Sequence, residues 1–291
     1  MKTFSWIAAG EQRGSKLRDV LRFQYGLSRR QLIRLKKQPG SVLVNGQPAY
    51  LDTCLNPGDS VRIVLEEHLE PIPPQPIPLD ILYEDADILV LNKPAGLVSH
   101  PTKGYAEGAL ANALSYHWQS RGEEHPARIV TRLDRETSGL VLVAKTAWSH
   151  HRLSRGEIHR EYLAITKGIP VPPEGEIDLP IGRDRDNPQK RGVDPRGKPA
   201  LTRYRTVKAG DDLALVSLEL VTGRTHQIRI HMAHIGCPLV DDFIYGIREG
   251  LLGRTALHAH KLRFIHPQTQ AVREYIAPLP QDFLKIAGTL K

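Results

Sequence analysis

A proline-rich segment divides the sequence and constrains its fold more than any other feature. The segment EPIPPQPIPLD, residues 70–80, holds five prolines in eleven residues. Proline fixes φ and lacks the backbone N–H, so the segment cannot form a regular helix or a central strand and favours an extended, semi-rigid chain. Because 291 residues suffice for two domains, we predict a small domain over residues 1–68, a linker over 69–79 and a larger domain over 80–291.

The small domain is predicted to combine two short helices with a small sheet. Residues 15–38, SKLRDVLRFQYGLSRRQLIRLKKQ, place apolar residues at helical spacing, with a break at Gly26 and with Ser28 at an N-cap position. The dipeptide Asn45-Gly46 after β-branched residues predicts a hairpin, and LNPGDSVRIVL predicts one more strand. We therefore expect a small α/β domain.

Nearly all of the excess positive charge lies on these two helices. The chain has a net charge of +8, and residues 16–37 alone hold eight bases against one acid. Such a cluster can be a solvated face, but one acid cannot compensate eight bases, so we favour a phosphate-binding surface. The module resembles the small RNA-binding domain of αL type, named for a small-subunit ribosomal protein, whose second helix carries the basic RNA-facing surface. By that resemblance the RNA-binding candidates are Arg29, Arg30, Arg34, Lys36 and Lys37.

The second domain is predicted to be mixed α+β with a largely antiparallel sheet. Strands are predicted at DILVLNKP, GLVLVAKT, REYLAITKG and RTALHAHKLRFIHP, and a hairpin turns at residues 210–212. Helices are predicted at EGALANALSYHWQS, AWSHHRLSRGEIH and THQIRIHMAHIG, the last ended by Gly236. These elements follow one another without a regular βαβ rhythm, which indicates a mixed α+β domain.

The rest of the sequence indicates an ordinary cytoplasmic protein. No apolar run approaches the roughly 20 residues that span a bilayer, and the first residues, MKTFSWIAAGEQ, lack the pattern of a secretory signal. We expect Cys54 and Cys237 to be packed thiols rather than a disulfide or a zinc site, as in a reducing compartment. We expect no membrane partner and a monomeric chain.

One acid lies among arginines at the start of a buried strand. TRLDRETSGLVLVAK, residues 131–145, places Asp134 between Arg132 and Arg135 and then continues with aliphatic residues from Gly139. Taken alone, the segment reads as a surface turn with compensating charges, because exposed ion pairs are common and contribute little. Its interpretation therefore depends on the other polar segments.

Three further segments concentrate polar residues where the fold alone does not require them. LNKPAGLVSHPTKG ends near His100, which could belong to a simple loop, and HREYLAITKG places Tyr162 on a strand face where a core tyrosine is also possible. TGRTHQIRIHMAHIGCPLVDDFIYG contains His226, His231 and His234. These histidines lack the i, i+4 pair with an intervening glutamate of zinc hydrolases, so we expect no metal.

Together these segments resemble the RluA-type pseudouridine synthases. The motifs RLDRETSGL, LNKPAGLVSHP, REYLA and GRTHQIRIHMAHIGCPLVDD occur in that family's order, over about residues 80–278. The resemblance implies a pseudouridine-synthase-type fold with flanking helices. It also implies an enzyme that converts uridine in RNA to its carbon-linked isomer without a cofactor. Large-subunit ribosomal RNA is the expected partner because the appended module is frequent among such enzymes, and transfer RNA stays open.

The resemblance also implies roles for individual residues. Asp134 matches the family's nucleophile or base, Arg224 its cationic partner, and Tyr162 the tyrosine that stacks on the base and moves a proton. Arg132 matches the residue that fills the space left by a flipped nucleotide. Whether the carboxylate adds to the base or deprotonates the sugar is left open. The predicted catalytic residues are therefore Asp134, Tyr162 and Arg224, and the predicted substrate-binding residues beside them are Arg132, Ile228 and His100.

Two residues depart from the family pattern, and the sequence is also compatible with two other functions. Thr131 replaces a frequent His, and Arg160 a frequent Lys, which is expected to alter target context rather than activity. A non-catalytic RNA-binding or ribosome-assembly factor on the same scaffold is the main alternative, and a metal-dependent hydrolase is the third. Residues 182–205, with eight bases and three acids, could be a second RNA contact or a solvated loop.

Overall fold

The computed structural model describes residues 2–66, 72–101, 107–184 and 190–291. Residues 69–71 of the predicted linker and residues 185–189 of the basic segment 182–205 lie outside the described ranges. Residues 72–79 form neither helix nor strand, and the domain boundaries stay a prediction.

The N-terminal domain is a four-stranded antiparallel sheet with two helices, of which the sequence predicts both helices and three of the strands. The sheet order is β1-β4-β2-β3, with bounds β1 Lys2–Ile7, β2 Val42–Val44, β3 Gln47–Pro48 and β4 Ser60–Leu65. The helices are α1 Leu17–Phe23 and α2 Arg29–Lys37. The Ser28 hydroxyl caps α2 by accepting the Gln31 N–H at 3.2 Å, and Asn45 and Gly46 have the positive φ values of a tight hairpin.

The larger domain carries the remaining elements. Its strands are β5 Asp80–Glu84, β6 Ile88–Lys93, β7 Arg128–Ile129, β8 Ser138–Ala144, β9 Ile158–Lys167, β10 Glu174–Asp178, β11 Ile181–Arg183, β12 Arg191–Val193, β13 Leu201–Ala209, β14 Leu213–Leu220, β15 Leu257–Ile265 and β16 Val272–Ile276. Its helices are α3 Leu110–Gln119, α4 Ala147–Arg155, α5 Gln227–His234 and α6 Gln281–Ala287.

Ten of these strands form one mixed, largely antiparallel sheet, which confirms the predicted α+β class. The order is β10-β13-β14-β9-β15-β8-β6-β5, with β16 on β15 and β7 on β8. Among the described strand pairs only β8 and β15 run parallel. Gly139 lies at this pairing with a φ of 111°, and a Cβ there would come within 2.3 Å of the Ala259 carbonyl oxygen. Glycine is therefore required where β8 leaves the active-site loop.

The two domains share a packed interface. Trp148 of α4 is 3% exposed and belongs to the N-terminal core, with its ring 5.3 Å from that of Phe4. Its indole N–H donates to the Tyr25 carbonyl at 2.6 Å. Lys2 forms an ion pair with Asp87 at 2.7 Å, which adds a buried polar contact. The N-terminal domain is thus docked on α4.

Several elements differ from the sequence-based prediction. The helix predicted over AWSHHRLSRGEIH ends at Arg155, because Gly156 interrupts it and residue 158 already begins β9. The strand β1 at the start of the chain was not predicted, although it pairs along its whole length with β4. Cys54 is exposed, so the expectation of a packed thiol is wrong for it, whereas Cys237 is buried. No helix among the described residues combines the length and apolarity needed to cross a membrane.

Candidate active site

The predicted site residues of the large domain line one cavity of about 510 Å³. Its walls come from the loop after β6, the loop before β8, the start of β9 and the turn that enters α5. The structure brings together there Asp134, Tyr162, Arg224, Arg132, Ile228 and His100. The predicted RNA-binding bases of α2 lie on the N-terminal domain instead, and Arg30 and Arg34 line a different groove.

Asp134 lies in a loop that the buried strand β8 holds in place. The buried Thr131 hydroxyl accepts the Leu142 N–H at 2.8 Å, and the Ser99 hydroxyl donates to the Leu133 carbonyl at 2.8 Å. The Asp134 carbonyl accepts the Thr137 N–H at 3.2 Å. These bonds fix both sides of the residue, and its side chain is 29% exposed to the cavity.

The cationic partner of Asp134 is Arg229, which corrects the expectation that Arg224 has this place. Arg229 Nη1 lies 3.2 Å from Asp134 Oδ2. Arg224 precedes α5, and its Nε donates to the Pro199 carbonyl at 2.9 Å. The physical reason is the start of α5 at Gln227: Arg229 projects from the helix towards Asp134, whereas Arg224 stays in the turn, at the rim of the same cavity.

Arg229 is shared between two carboxylates. Its Nε and Nη2 donate to the two oxygens of Asp242 at 2.7 and 2.6 Å, a bidentate pair that leaves Nη1 for Asp134. Asp242 is fully buried and also accepts the Ile244 and Tyr245 N–H groups. Burial acts to raise the pKa of Asp242, but the Arg229 hydrogen bonds outweigh it and lower that pKa, so Asp242 is ionised at neutral pH.

His226 and Tyr245 form the second layer around the Asp134 carboxylate. His226 Nε2 lies 3.7 Å from Asp134 Oδ2, and its Nδ1 is 3.0 Å from the Tyr245 hydroxyl. The Tyr245 ring lies 5.2 Å from the Arg229 guanidinium carbon, and its hydroxyl accepts the Arg191 N–H. Burial lowers the pKa of His226, although Asp134 acts in the opposite direction, so the imidazole is neutral at pH 7.

Tyr162 and Arg160 extend from β9 towards the cavity. Tyr162 is 6% exposed, and burial raises the pKa of its hydroxyl, which is therefore protonated at neutral pH. Arg160 packs over Gly223, where an added Cβ would lie 2.8 Å from its Nη1. Among the described atoms its Nε is buried without a hydrogen-bond partner. The position two residues before the tyrosine thus reaches the cavity.

Arg132 and His100 lie at the mouth of the cavity. The Arg132 side chain is exposed, in agreement with a residue that could reach bound substrate. His100 is half-buried, and burial, together with the charge of Arg132, lowers its pKa, so that His100 is neutral at pH 7. Ile228, buried on α5, contributes an apolar wall.

Sequence reasoning missed several residues of the site. Lys93 is fully buried and donates to the carbonyls of Pro94, Leu97 and Arg135, which ties the two loops beside Asp134 together. Burial lowers the pKa of Lys93 to about 7. Asp242 and Tyr245 were not singled out, although an arginine inside the apolar helix IRIHMAHIG requires a buried carboxylate partner, and CPLVDD supplies one shortly afterwards.

Of the two histidines within α5, His231 is held by protein contacts and His234 is exposed. His231 is fully buried between the Thr202 hydroxyl at 2.9 Å and the Leu179 carbonyl at 3.0 Å. Within the described ranges, no group of three or more His, Cys, Asp or Glu side chains is arranged to hold a metal ion. The described side chains place a carboxylate beside a guanidinium, together with a protonated tyrosine and an apolar wall. In this setting the carboxylate can act as a nucleophile or base on a flat ring.

Comparisons with known proteins agree with one another on the family and on the fold of this chain. A family profile described as RNA pseudouridylate synthase matches residues 87–234, which include Asp134, Tyr162 and Arg229. Uncharacterized RNA pseudouridine synthase YjbO of Bacillus subtilis (strain 168) is 41% identical over 269 residues, 90% of this chain and 95% of that protein. Ribosomal large subunit pseudouridine synthase D of Pasteurella multocida (strain Pm70) is 42% identical over 253 residues, 80% of this chain and 78% of that protein.

A solved structure has the same fold. Human RNA Pseudouridylate Synthase Domain Containing 1 superposes with a TM-score of 0.58 at 29% sequence identity. The match covers 72% of this chain and 86% of the human chain. It therefore extends over most of the large mixed domain.

Proposed function

The chain belongs to the RNA pseudouridylate synthase family, and from this premise we propose that it isomerises specific uridines of large-subunit ribosomal RNA through Asp134. That it is an RNA pseudouridine synthase follows from the family itself. The choice of RNA is supported by relatives named ribosomal large subunit pseudouridine synthase D, which are 40–42% identical over at least 80% of this chain. The basic helix α2 agrees with a structured RNA partner.

The reaction needs an ionised carboxylate and no added group. The N1–C1′ glycosidic bond of uridine breaks, the uracil turns, and C5 bonds to C1′, while the C5 proton is lost and N1 gains one. We infer that Asp134 either adds to the base or removes a proton from the sugar, since both routes begin from its carboxylate. The observation that carries this proposal is the contact of 3.2 Å between Asp134 Oδ2 and Arg229 Nη1 at the wall of the cavity.

Arg229 lies against the Asp134 carboxylate where the substrate base would exclude water. At this separation, two opposite charges attract by about 5 kcal/mol at an effective dielectric constant near 20, before desolvation is subtracted. Arg229 is itself held by Asp242, so it needs no reorganisation when substrate enters.

The other cavity residues would hold a flipped nucleotide. A uridine inside a helix must leave its stack to reach Asp134, at a cost of a few kcal/mol. The exposed Arg132 can stack in the space that the base leaves, Tyr162 and Ile228 would flank the uracil, and His100 would contact the substrate at the cavity mouth. Thr131 and Arg160, which depart from the family pattern, would adjust the sequence context of the target.

Tritium release tests the catalytic proposal. A large-subunit ribosomal RNA transcript labelled with tritium at C5 of uridine should release label with the wild type, and Asp134→Asn should reduce the rate at least about 1000-fold. Glu136→Gln is the matched control, because this carboxylate lies in the same loop and pairs with Arg135 but does not itself line the cavity. Wild-type turnover by Asp134→Asn would refute the role of Asp134.

Pseudouridine mapping tests the RNA target and separates the enzyme from a binding factor. Sites in large-subunit ribosomal RNA should disappear when the gene is deleted and return with the wild type but not with Asp134→Asn. Restoration by both proteins would support the non-catalytic RNA-binding or ribosome-assembly factor. Loss of sites in transfer RNA alone would contradict the ribosomal target.

A further inference from the structure

We propose that the two domains form one composite groove that holds the sugar–phosphate backbone of the RNA segment leading into the active site. This inference rests on the proposed function only in taking a structured RNA as the bound partner. It assigns a position and a limited set of contacts to the basic charge of α2.

The groove exists because the N-terminal domain is docked on α4. Trp148 enters the N-terminal core, and Arg152 packs over Gly26, where an added Cβ would lie 2.8 Å from Arg152 Nη1. The Arg152 guanidinium carbon also lies 5.6 Å from the Trp148 ring centroid. This interface sets α2 beside α4, and a cavity of about 570 Å³ runs between them.

Both walls of the groove carry basic or neutral polar side chains. Arg30 and Arg34 line it from α2, and Arg128, His150 and His151 line it from the large domain. Among the described lining residues there is no Asp or Glu. Burial lowers the pKa of His150 and of His151, so the positive charge at neutral pH comes from the arginines, with the imidazoles as neutral hydrogen-bonding groups.

The chemistry of the lining fits a phosphodiester backbone rather than unstacked bases. Proteins that hold single-stranded bases without sequence preference supply aromatic side chains on which those bases stack. The described residues lining this groove include no Phe, Tyr or Trp. Guanidinium groups, in contrast, match phosphate oxygens with paired N–H donors.

The groove adjoins the active-site cavity at His100. His100 lines both the groove and the cavity that contains Asp134. A strand whose phosphates contact Arg30 and Arg34 would therefore pass His100 as it reaches Arg132 at the cavity mouth. The position of α2 thus fixes the direction from which the RNA enters.

The bases of α2 fall into two sets, which allows a matched comparison. Arg30 and Arg34 are four residues apart, lie on one face of the helix and line the groove. Arg29 and Lys36, which the resemblance also counts among the RNA-facing bases, are exposed on the same helix but line no part of the groove, so the groove proposal assigns them no phosphate contact. Two pairs of charges, equal in number and close in sequence, thus differ in whether they face the groove.

The salt dependence of RNA binding tests the groove from the α2 side. The full-length double variants Arg30→Gln/Arg34→Gln and Arg29→Gln/Lys36→Gln would be titrated with a protein-free large-subunit ribosomal RNA transcript at several KCl concentrations. Each lost phosphate contact lowers the slope of log K against log[salt] by about 0.7–0.9. For Arg30→Gln/Arg34→Gln the slope should therefore fall in magnitude by roughly 1.5, and the affinity at moderate salt should fall about tenfold or more. For Arg29→Gln/Lys36→Gln both the slope and the affinity should change much less.

Photo-crosslinking tests the wall contributed by the large domain. p-Benzoylphenylalanine in place of Ser154, which lines the groove, should crosslink to the same transcript, whereas the same group in place of the exposed Glu157 should not. Equal losses from the two double variants, no loss from either, or no crosslink from position 154 would each overturn the proposal. Neither readout requires isomerisation, so a wild type that bound in this way but released no tritium would contradict the proposed function and leave the groove standing.

Discussion

Arg229 is the residue on which the site's electrostatics depend. It is 6% exposed and contacts two carboxylates with different parts of its guanidinium. A buried guanidinium is stable only when its charge is compensated and its N–H groups are bonded. Asp242 meets both requirements, which leaves one N–H group directed at Asp134. Lysine has no planar fork, so it could not form the bidentate pair with Asp242 and also donate to Asp134 from a third nitrogen.

Asp242 is therefore expected to act on catalysis through Arg229. Asp242→Asn removes the charge that anchors the guanidinium, so Arg229 should shift or be drawn fully to Asp134. We expect the tritium-release kcat to fall by roughly 10- to 100-fold, with KM for RNA nearly unchanged. The thermal unfolding temperature of each variant would be measured beside its kinetics.

Asp241→Asn is the control for this substitution. Asp241 is equally buried and adjacent, but it accepts the backbone N–H groups of Glu249, Gly250, Leu252 and Gly253 rather than an arginine. The Asp241→Asn substitution should lower the free energy of unfolding and leave the kcat of the folded protein unchanged. Equal kcat losses in the two variants would show that Asp242 is merely structural.

At the residue scale, the sequence could identify the acid but not its partner. Asp134 is marked by RLDRETSGL together with the three other polar segments, and the structure places it in one cavity with Tyr162 and Arg229. Arg224 and Arg229 lie five residues apart in one motif, and the local pattern does not tell which one faces Asp134. The start of α5 at Gln227 decides this, and helix boundaries are the least certain part of a sequence-based prediction.

At the scale of elements, Glu84 connects three parts of the large domain. Lying at the end of β5, it accepts hydrogen bonds from His117 and Trp118 of α3 and from Lys145 just after β8. Its side chain is 12% exposed. Burial acts to raise the pKa of Glu84, but these donors outweigh burial and lower that pKa from 4.5 to about 2.

This shift predicts how stability depends on pH. A carboxylate whose pKa is lower in the folded state than in the unfolded state stabilises the fold above the unfolded value, and that contribution is lost as pH falls through the folded value. For Glu84 the contribution is roughly 3 kcal/mol above pH 5, lost between about pH 4.5 and pH 2. Urea unfolding should show a smaller decrease in unfolding free energy over this range for Glu84→Gln than for the wild type. Parallel pH profiles would contradict this assignment.

The regular elements were predictable where a strong local pattern exists. The hairpin at residues 210–212, the continuous aliphatic strand β8 and the helix ended by Gly236 all follow from periodicity and turn residues. The strands β7, β11 and β12 have only two or three residues each, so they are too short to show such a pattern and depend on pairing with another strand. The loop around Asp134 is held by Thr131 and Ser99 through contacts that no local pattern shows.

At the scale of the whole molecule, Trp148 joins the two domains. Its ring is buried in the N-terminal core while its backbone belongs to α4 of the large domain. Sequence periodicity marks Trp148 as an apolar residue of a helix, but it cannot show that the surface it packs against lies more than a hundred residues earlier, at Phe4 and Tyr25. The arrangement of the domains was therefore beyond prediction from patterns alone.

Trp148→Ala is expected to release the N-terminal domain. Truncating a buried Trp costs about 3–5 kcal/mol, and here the loss falls mainly on the interface and the small core. Limited proteolysis should cut the variant between the two domains faster than the wild type, and its radius of gyration should rise in small-angle scattering. Phe23→Ala, at an aromatic residue that is 74% exposed in the same domain, should change neither quantity. An unchanged proteolysis rate for Trp148→Ala would argue against docking through this residue.

Comparing two arginines of one motif tests most directly whether Arg229 is the cationic partner of Asp134. The single-turnover rate of tritium release would be measured with excess enzyme for Arg229→Lys and Arg224→Lys, after circular dichroism has shown that both are folded. Arg229→Lys should lose on the order of 100-fold or more, because an ammonium cannot form the planar bidentate pair with Asp242 and also donate to Asp134 from a third nitrogen, and Arg224→Lys should stay within a few-fold of the wild type. A large fall in the rate for Arg224→Lys with a near-normal rate for Arg229→Lys would contradict the assignment of Arg229 as the partner of Asp134.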